Sequence, residues 1–213
     1  LTDADYRRVA ADYGVSEAHV RAVVFVEAGT SGFWNDGSMK LLYEGHVAYR
    51  ETSGAERTRL VNSGLAWAKW GAVPYGKASA SRERLSKAIK IVGDKAYRFA
   101  SYGLGQTMGF NAELCGYRSA KAMYDTYLTG EAAQIDGMMR FIKGAGLLPA
   151  LKRNDWKTFA RGYNGSGYAK NKYDTKLAEA YEKYAASEVP APAPVIPTEG
   201  WLTALLKALG FKK

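Results

Sequence analysis

Apolar residues recur at helical spacing in four stretches of the chain: Leu85, Ala88, Ile89 and Val92; Ile135, Met138, Met139 and Ile142; Trp156, Phe159, Ala160 and Tyr163; and Leu177, Ala180, Tyr181 and Tyr184. Each set falls on one side of a 3.6-residue period, so each predicts a helix with one buried face. Thr2, Ser16, Ser119, Thr129 and Asp155 supply side-chain oxygens where helices would begin, and Gly14, Gly93 and Gly144 stand where they would stop. One stretch breaks the rhythm. Asn35, Asp36 and Gly37 have turn chemistry, and Met39 through Tyr43 reads as a strand returning from that turn. The pattern predicts a mainly α fold with a small β-ribbon near residues 34–44.

The segment from Tyr6 to Val26 has the outline of a helix-turn-helix, with Gly14, Val15 and Ser16 as its turn. A recognition helix must offer polar side chains to base edges, and Val23, Val24, Phe25 and Val26 leave few positions to do so. No nucleic-acid partner is therefore expected. In the same segment Val20, Val23, Val24 and Glu27 fall at i, i+3, i+4 and i+7, which puts a carboxylate on the apolar face. Desolvation beside the valines and the negative end of the helix dipole both favour the protonated form of Glu27. A general acid for glycoside cleavage needs that property. The other reading of Glu27 is structural, as a cap on buried backbone or a partner for Arg21, and the spacing alone leaves both open.

Pro190, Pro192, Pro194 and Pro197, interleaved with Ala and Val, mark an extended linker over residues 187–198. A folded domain over residues 1–186 is expected before it. Beyond it, Trp201, Leu202, Leu205, Leu206 and Leu209 form an apolar stripe alongside Lys207, Lys212 and Lys213, which predicts an amphipathic helix over 199–213. That helix is expected either to dock on the domain or to meet an anionic membrane or lipopolysaccharide.

The 213 residues, 47% hydrophobic and 24% charged, are enough for one substantial core. Lys and Arg outnumber Asp and Glu by 30 to 21, a net charge of +9 that directs attention to polyanionic partners. The single cysteine, Cys115, excludes an intrachain disulfide and reads as a packed core residue. His19 and His46 are too few and too scattered for a zinc site, so no metal or organic cofactor is expected, and His19 reads as a surface helix residue. The opening residues, with Asp3 and Asp5 ahead of Arg7, lack the pattern of a secretory signal, and cytosolic synthesis is expected.

Three motifs narrow the reading of Glu27. The first is Val26-Glu27-Ala28-Gly29-Thr30-Ser31-Gly32-Phe33, a Glu at a helix end followed by a small-residue turn and an aromatic. The second is Tyr102-Gly103-Leu104-Gly105-Gln106-Thr107-Met108-Gly109-Phe110-Asn111, and the third is Tyr163-Asn164-Gly165-Ser166-Gly167-Tyr168. In order and spacing they resemble the catalytic-Glu, Gly-Leu-x-Gln and Tyr-Asn-x-Gly motifs of goose-type lysozymes and soluble lytic transglycosylases. Over roughly residues 1 to 186 the chain is similar to the N-acetylmuramidase domain of phage endolysins, whose pattern also includes Leu41-Leu42-Tyr43-Glu44-Gly45-His46 and Asn171-Lys172-Tyr173.

The resemblance implies a lysozyme-like helical domain that hydrolyses peptidoglycan glycan strands between N-acetylmuramic acid and N-acetylglucosamine, acting as a monomer. It implies an enzyme made in the host bacterial cytoplasm and acting on the cell wall at lysis. Glu27 would be the acid, and Tyr163, Asn164, Gln106, Met108 and His46 would bind substrate. A second carboxylate is usual in glycosidases, and both Asp36 and Glu44 are candidates. Asp36 lies nine positions after Glu27, as in phage-type lysozymes, although Leu42 stands where that family has Thr. Glu44 lies within the endolysin-like stretch, with His46 on the same face if the strand continues. With neither in reach, an internal attack giving anhydro-muramic products, as in a lytic transglycosylase, is the alternative; a non-catalytic wall-binding module is another. Trp67, Trp70 and Tyr75 surround a glycine-containing loop and offer platforms for sugar rings, with at least one tryptophan expected in the core.

Overall fold

Residues 1–28 and 31–187 are described in the structure, a computed structural model of the chain. Ten helices are described: α1 (Asp3–Tyr13), α2 (Glu17–Ala28), α3 (Gly45–Glu51), α4 (Gly54–Asn62), α5 (Ala78–Val92), α6 (Ala120–Tyr127), α7 (Glu131–Gly144), α8 (Leu148–Lys152), α9 (Trp156–Asn164) and α10 (Tyr173–Ala185). Three short strands join them, β1 (Leu41–Tyr43), β2 (Ala100–Tyr102) and β3 (Thr107–Met108), in an antiparallel sheet of order β1-β2-β3. The mainly helical architecture and the four predicted helices are present. The Pro-rich linker and the amphipathic tail fall outside the described residues.

Capping chemistry sets several helix limits. Thr2 caps α1 in a reciprocal pair with Asp5, Ser119 accepts from the Ala122 amide, and Asp155 accepts from the Thr158 amide. Gly14 ends α1 in the left-handed conformation. Thr129 does not cap α7; Gly130 precedes it, and the Thr129 hydroxyl bonds back to the Thr126 carbonyl.

The core has two parts. One surrounds α2, where Val20, Val23 and Val24 pack with Ile135, Met138, Met139 and Ile142 of α7, Phe159 and Ala160 of α9 and Leu177 of α10. The other surrounds the sheet, where Tyr43, Phe99 and Tyr102 meet Leu60, Leu85, Met123 and Tyr127. Because α2 is covered by α1 and α10 together, it is buried on more than one face. This corrects the reading of His19. It is not a surface residue but 6% exposed, with its ring between Ser16 Oγ (2.7 Å) and Asn154 Oδ1 (2.8 Å) and tilted against Tyr181. The helix that a DNA groove reader would present is thus the centre of this core. Cys115 is buried, and burial pushes its thiol up to about 11.

The β-ribbon near 34–44 is smaller than the alternation suggested. The Trp34 amide donates to the Ser38 carbonyl across the Asn35-Asp36-Gly37 turn, and Phe33 and Met39 form one bridge. From Leu41 onward the strand pairs with β2 instead, Leu42 opposite Ser101. The β2–β3 hairpin, not anticipated from the Gly-rich motif, supplies the rest of the sheet.

One buried amide joins these parts. Gln134 on α7 is 1% exposed; its Oε1 accepts from the Leu104 amide (2.9 Å) and its Nε2 donates to the Tyr127 carbonyl (3.0 Å). A side chain on Gly32 or Gly103 would collide with this same amide, so both glycines are needed for close approach. Gln134→Leu keeps the volume but strands a buried N–H and a buried carbonyl. A loss of roughly 2–4 kcal/mol is expected from two such groups, read as a lower urea midpoint at unchanged slope.

Candidate active site

Glu27 sits in the last turn of α2, where the helix leaves the core, and is partly buried. Asn164 closes α9, and its Nδ2 lies 3.0 and 3.1 Å from the two Glu27 carboxylate oxygens. Burial raises the Glu27 pKa above the ordinary carboxylate value; the Asn164 bond and the nearby Lys176 charge oppose it without cancelling it. Arg21 does not pair with Glu27. Its guanidinium reaches Glu17 one turn back and Asp3 on α1, which removes that structural reading of Glu27.

The wall facing Glu27 is the β2–β3 hairpin. A cleft of about 240 Å³ is lined by Glu27, Trp34, Lys40, Leu42, Gly103 and Gln106, together with Leu41 and Leu104. Gln106 adopts a left-handed backbone (φ 44°), and its side chain folds over its own turn: Nε2 donates to the Gly103 carbonyl (2.8 Å), and Oε1 accepts from Ser101 Oγ (3.0 Å). Much of the amide capacity that sequence reasoning assigned to sugar is therefore used to hold the hairpin. A Cβ on Gly105 would strike Met138 and come within 3.4 Å of the Tyr163 hydroxyl, so this turn rests on α7 and α9. Tyr163 stacks on Phe159 and meets Phe141 edge-on, and burial followed by the Glu27 charge raises its hydroxyl well above the usual phenol range. Met108 pairs with Ser101 across the hairpin.

Asp36 is exposed and lines a second depression of about 490 Å³ with Ser31, Phe33, Asn35, Ala78 and Arg82. Trp34 and Lys40 line both depressions, and the Lys40 ammonium lies 5.0 Å from the Trp34 ring centre, so the two depressions adjoin. Bonds from Ser38 first, and the Arg82 charge second, hold the Asp36 carboxyl below its ordinary value. Glu44 lines neither depression. Its carboxylate accepts from the Tyr75 hydroxyl (2.8 Å) and lies 3.2 Å from His46 Nδ1. The expected strand relation between Glu44 and His46 is corrected here. β1 ends at Tyr43, Glu44 is the N-cap of α3, and His46 occupies the first turn of that helix. The two side chains meet because the chain turns at Gly45, not because a strand alternates.

Sequence reasoning missed Gln134, Glu131, Trp34, Lys40 and Lys176. Glu131 accepts from the Ser31 hydroxyl and the Gly32 amide, which ties the chain just past Glu27 to the start of α7. These residues carry no local motif; a buried Gln in an otherwise apolar helical stripe was the one available signal.

The N-acetylmuramidase family model matches residues 16–185. Among solved structures, the crystal structure of the Burkholderia AP3 phage endolysin is similar, with 37% sequence identity, a TM-score of 0.80, and coverage of 87% of this chain and 72% of that one. No curated protein matches the chain. The family match and the likeness to this endolysin identify a glycoside hydrolase acting on peptidoglycan. The chain belongs to the N-acetylmuramidase family.

Because folding raises the Glu27 pKa, the native state holds that proton more tightly than the unfolded chain. Ionisation therefore subtracts stability as pH rises above the unfolded value, near 4.3, and the loss is complete above the folded value. Glu27→Gln removes the effect. Its Tm should exceed that of the parent at pH 7, and the difference should close at about pH 4 or below.

Proposed function

We propose that the chain is an endolysin-type muramidase that hydrolyses the bond between N-acetylmuramic acid and N-acetylglucosamine, with Glu27 as general acid. The observation that carries this is the setting of Glu27: a desolvated carboxyl with raised proton affinity, facing a glycine-walled groove and held by one amide donor. Such a group keeps its proton until the leaving glycosidic oxygen takes it. Asn164 orients it, and the buried Tyr163 hydroxyl lies near enough to feel its charge.

Asp36 is the proposed second carboxylate. It faces the adjoining depression and is held in its charged form, which suits it to stabilise the oxocarbenium-like ring and to steer a water. Its bonds to Ser38 and Arg82 make it a weak base, so electrostatic stabilisation is its main part. Glu44 and His46 are assigned no chemistry in this scheme.

Between Leu148 and Lys176 the chain carries seven Lys or Arg against Asp155 and Asp174. None of the seven forms an ion pair with a described residue. This positive surface includes α9 and Lys176, beside Glu27, and suits carboxylate-bearing glycan strands. With this reading go synthesis in a host bacterium and release to the wall at lysis, in keeping with the likeness to a phage endolysin, and action as a monomer is part of the same proposal. No helix among the described residues is long and apolar enough to cross a membrane. The tail is proposed to aid access to an anionic membrane or lipopolysaccharide.

Digestion of purified peptidoglycan tests the reading directly. The parent should release fragments ending in reducing muramic acid, seen by mass spectrometry, whereas anhydro ends would point to transglycosylation. Glu27→Gln should lower kcat by about 10²–10⁴-fold, and Asp36→Asn by less. A Glu27→Gln chain with parental activity would end the proposal.

Asn164→Ala offers a second check through pH. The Asn164 bond lowers the Glu27 pKa, so its loss should raise that pKa and keep the acid protonated to higher pH. The alkaline limb of the kcat/KM profile should therefore move upward, with a lower plateau from lost orientation.

A further inference from the structure

The loop from Ala66 to Lys77 carries Trp70, which at 73% exposure is the most exposed large apolar side chain described. An indole left in water gains nothing for the fold, and a loose loop would turn it inward or sweep it through solvent. This loop is instead fastened on both sides of Trp70. Trp67 packs directly on Gly45, where any side chain would collide with its ring, and the Trp67 amide donates to the Gly45 carbonyl (3.2 Å). Arg84 on α5 donates to the carbonyls of Pro74 (3.0 Å) and Tyr75 (3.1 Å) and lies 5.7 Å from the Trp67 ring centre.

The third fastening is Glu44. Its side chain is 13% exposed and meets no Lys or Arg within ion-pair distance among the described residues. Its carboxylate accepts a hydrogen bond from the Tyr75 hydroxyl at 2.8 Å, and the Trp70 side chain lies near enough to that hydroxyl to lower its proton affinity. Burial, followed by Glu44, pushes the Tyr75 hydroxyl up to about 12, so it stays a donor over the whole working range.

The backbone sets Glu44, the anchor of this assembly, on the strand face that borders the Glu27 cleft. Leu42 lines the cleft with Glu27, and its cross-strand neighbour Ser101 donates to Gln106. Glu44 is two residues on and still extended (φ −109°, ψ 90°), with its amide bonded to the Phe99 carbonyl. It therefore leans to the same face as Leu42, roughly 7 Å further along.

We propose that Trp70 is a stacking platform for a glycan ring beyond the cleavage point, and that Glu44, through Tyr75, is the positioning residue that holds it there. The proposal rests on the muramidase reading above and extends it by naming a distal saccharide subsite. The occupant is a neutral pyranose face of the same strand, because no Lys or Arg among the described residues stacks over the Trp70 ring, and a bare aromatic face recognises C–H surface rather than charge.

The test uses the full chain bearing Glu27→Gln, so that strands bind without being cut, and follows tryptophan fluorescence as isolated glycan strands freed of peptide are added. Adding Trp70→Ala should weaken binding roughly tenfold, the factor carried by 1.4 kcal/mol. Tyr75→Phe should weaken it in part, and Glu44→Ala should match Tyr75→Phe, while Glu44→Gln, which can still accept the Tyr75 proton, should restore it. In the cutting enzyme, Trp70→Ala should raise KM on long strands far more than it lowers kcat. Leu128→Ala, an exposed apolar change at the end of α6, should move neither. Unchanged affinity in Trp70→Ala overturns the subsite alone, and parental binding in both Tyr75→Phe and Glu44→Ala overturns the positioning role. Failure of the Glu27→Gln chain to bind strands at all overturns the subsite and the muramidase reading together. Cleavage by Glu27→Gln would count against the assigned acid while leaving the subsite measurable.

Discussion

Asn164 Nδ2 placed against both oxygens of Glu27 is the contact on which the site depends. It joins the end of α2 to the end of α9, two elements far apart in sequence, and it acts against the desolvation that burial imposes on the carboxyl. The balance matters chemically. If Glu27 is the proposed acid, desolvation alone would make it a poor donor to a leaving oxygen, and a stronger set of donors would leave it ionised and unable to give a proton at all. One neutral amide, rather than an arginine, would keep the proposed acid oriented without fixing its charge.

The rest of the molecule can be read as support for that geometry. α2 is covered on several faces, so its last turn has little freedom, and the segment just beyond it is tied to α7 by Glu131. The opposite wall is a hairpin whose own amide, Gln106, closes its turn, and whose Leu104 N–H is met by Gln134. Glycines at 32, 103 and 105 let these pieces approach to distances that a methyl group would forbid. The cleft beside Glu27 thereby has glycine and hairpin backbone in its wall, with Trp34 and Lys40 also lining it. Trp34 and Lys40 line both the Glu27 cleft and the Asp36 depression, which sets the two side by side.

The features read correctly from sequence were those with a local physical signature. The Val20, Val23, Val24 and Glu27 spacing put a carboxylate on a buried face because helical period is a property of adjacent turns. Caps at Thr2, Ser119 and Asp155 followed from side-chain oxygens next to free amides. His19 was misread because one helix was assumed to have one buried face, whereas α1 and α10 both cover α2. The strand relation of Glu44 and His46 failed because Glu44 became a helix cap, a change of period within two residues that alternation does not signal. The β-ribbon was partly legible: its turn was, and its true partner strand, sixty residues away, was not.

By itself the chain determined that the protein would be mainly helical, that Glu27 would sit on an apolar face, and that its three motifs match those of muramidases. Those outcomes depend on neighbours within a few turns, whose geometry the backbone dictates. Tertiary structure alone decided that Asn164 meets Glu27, that Gln106 braces its own hairpin, that Asp36 lines a depression beside the Glu27 cleft, and that Glu44 accepts from Tyr75. Each of these joins side chains separated by many residues, or chooses between two uses of the same polar group. Such choices are settled only when burial removes water as the competing partner.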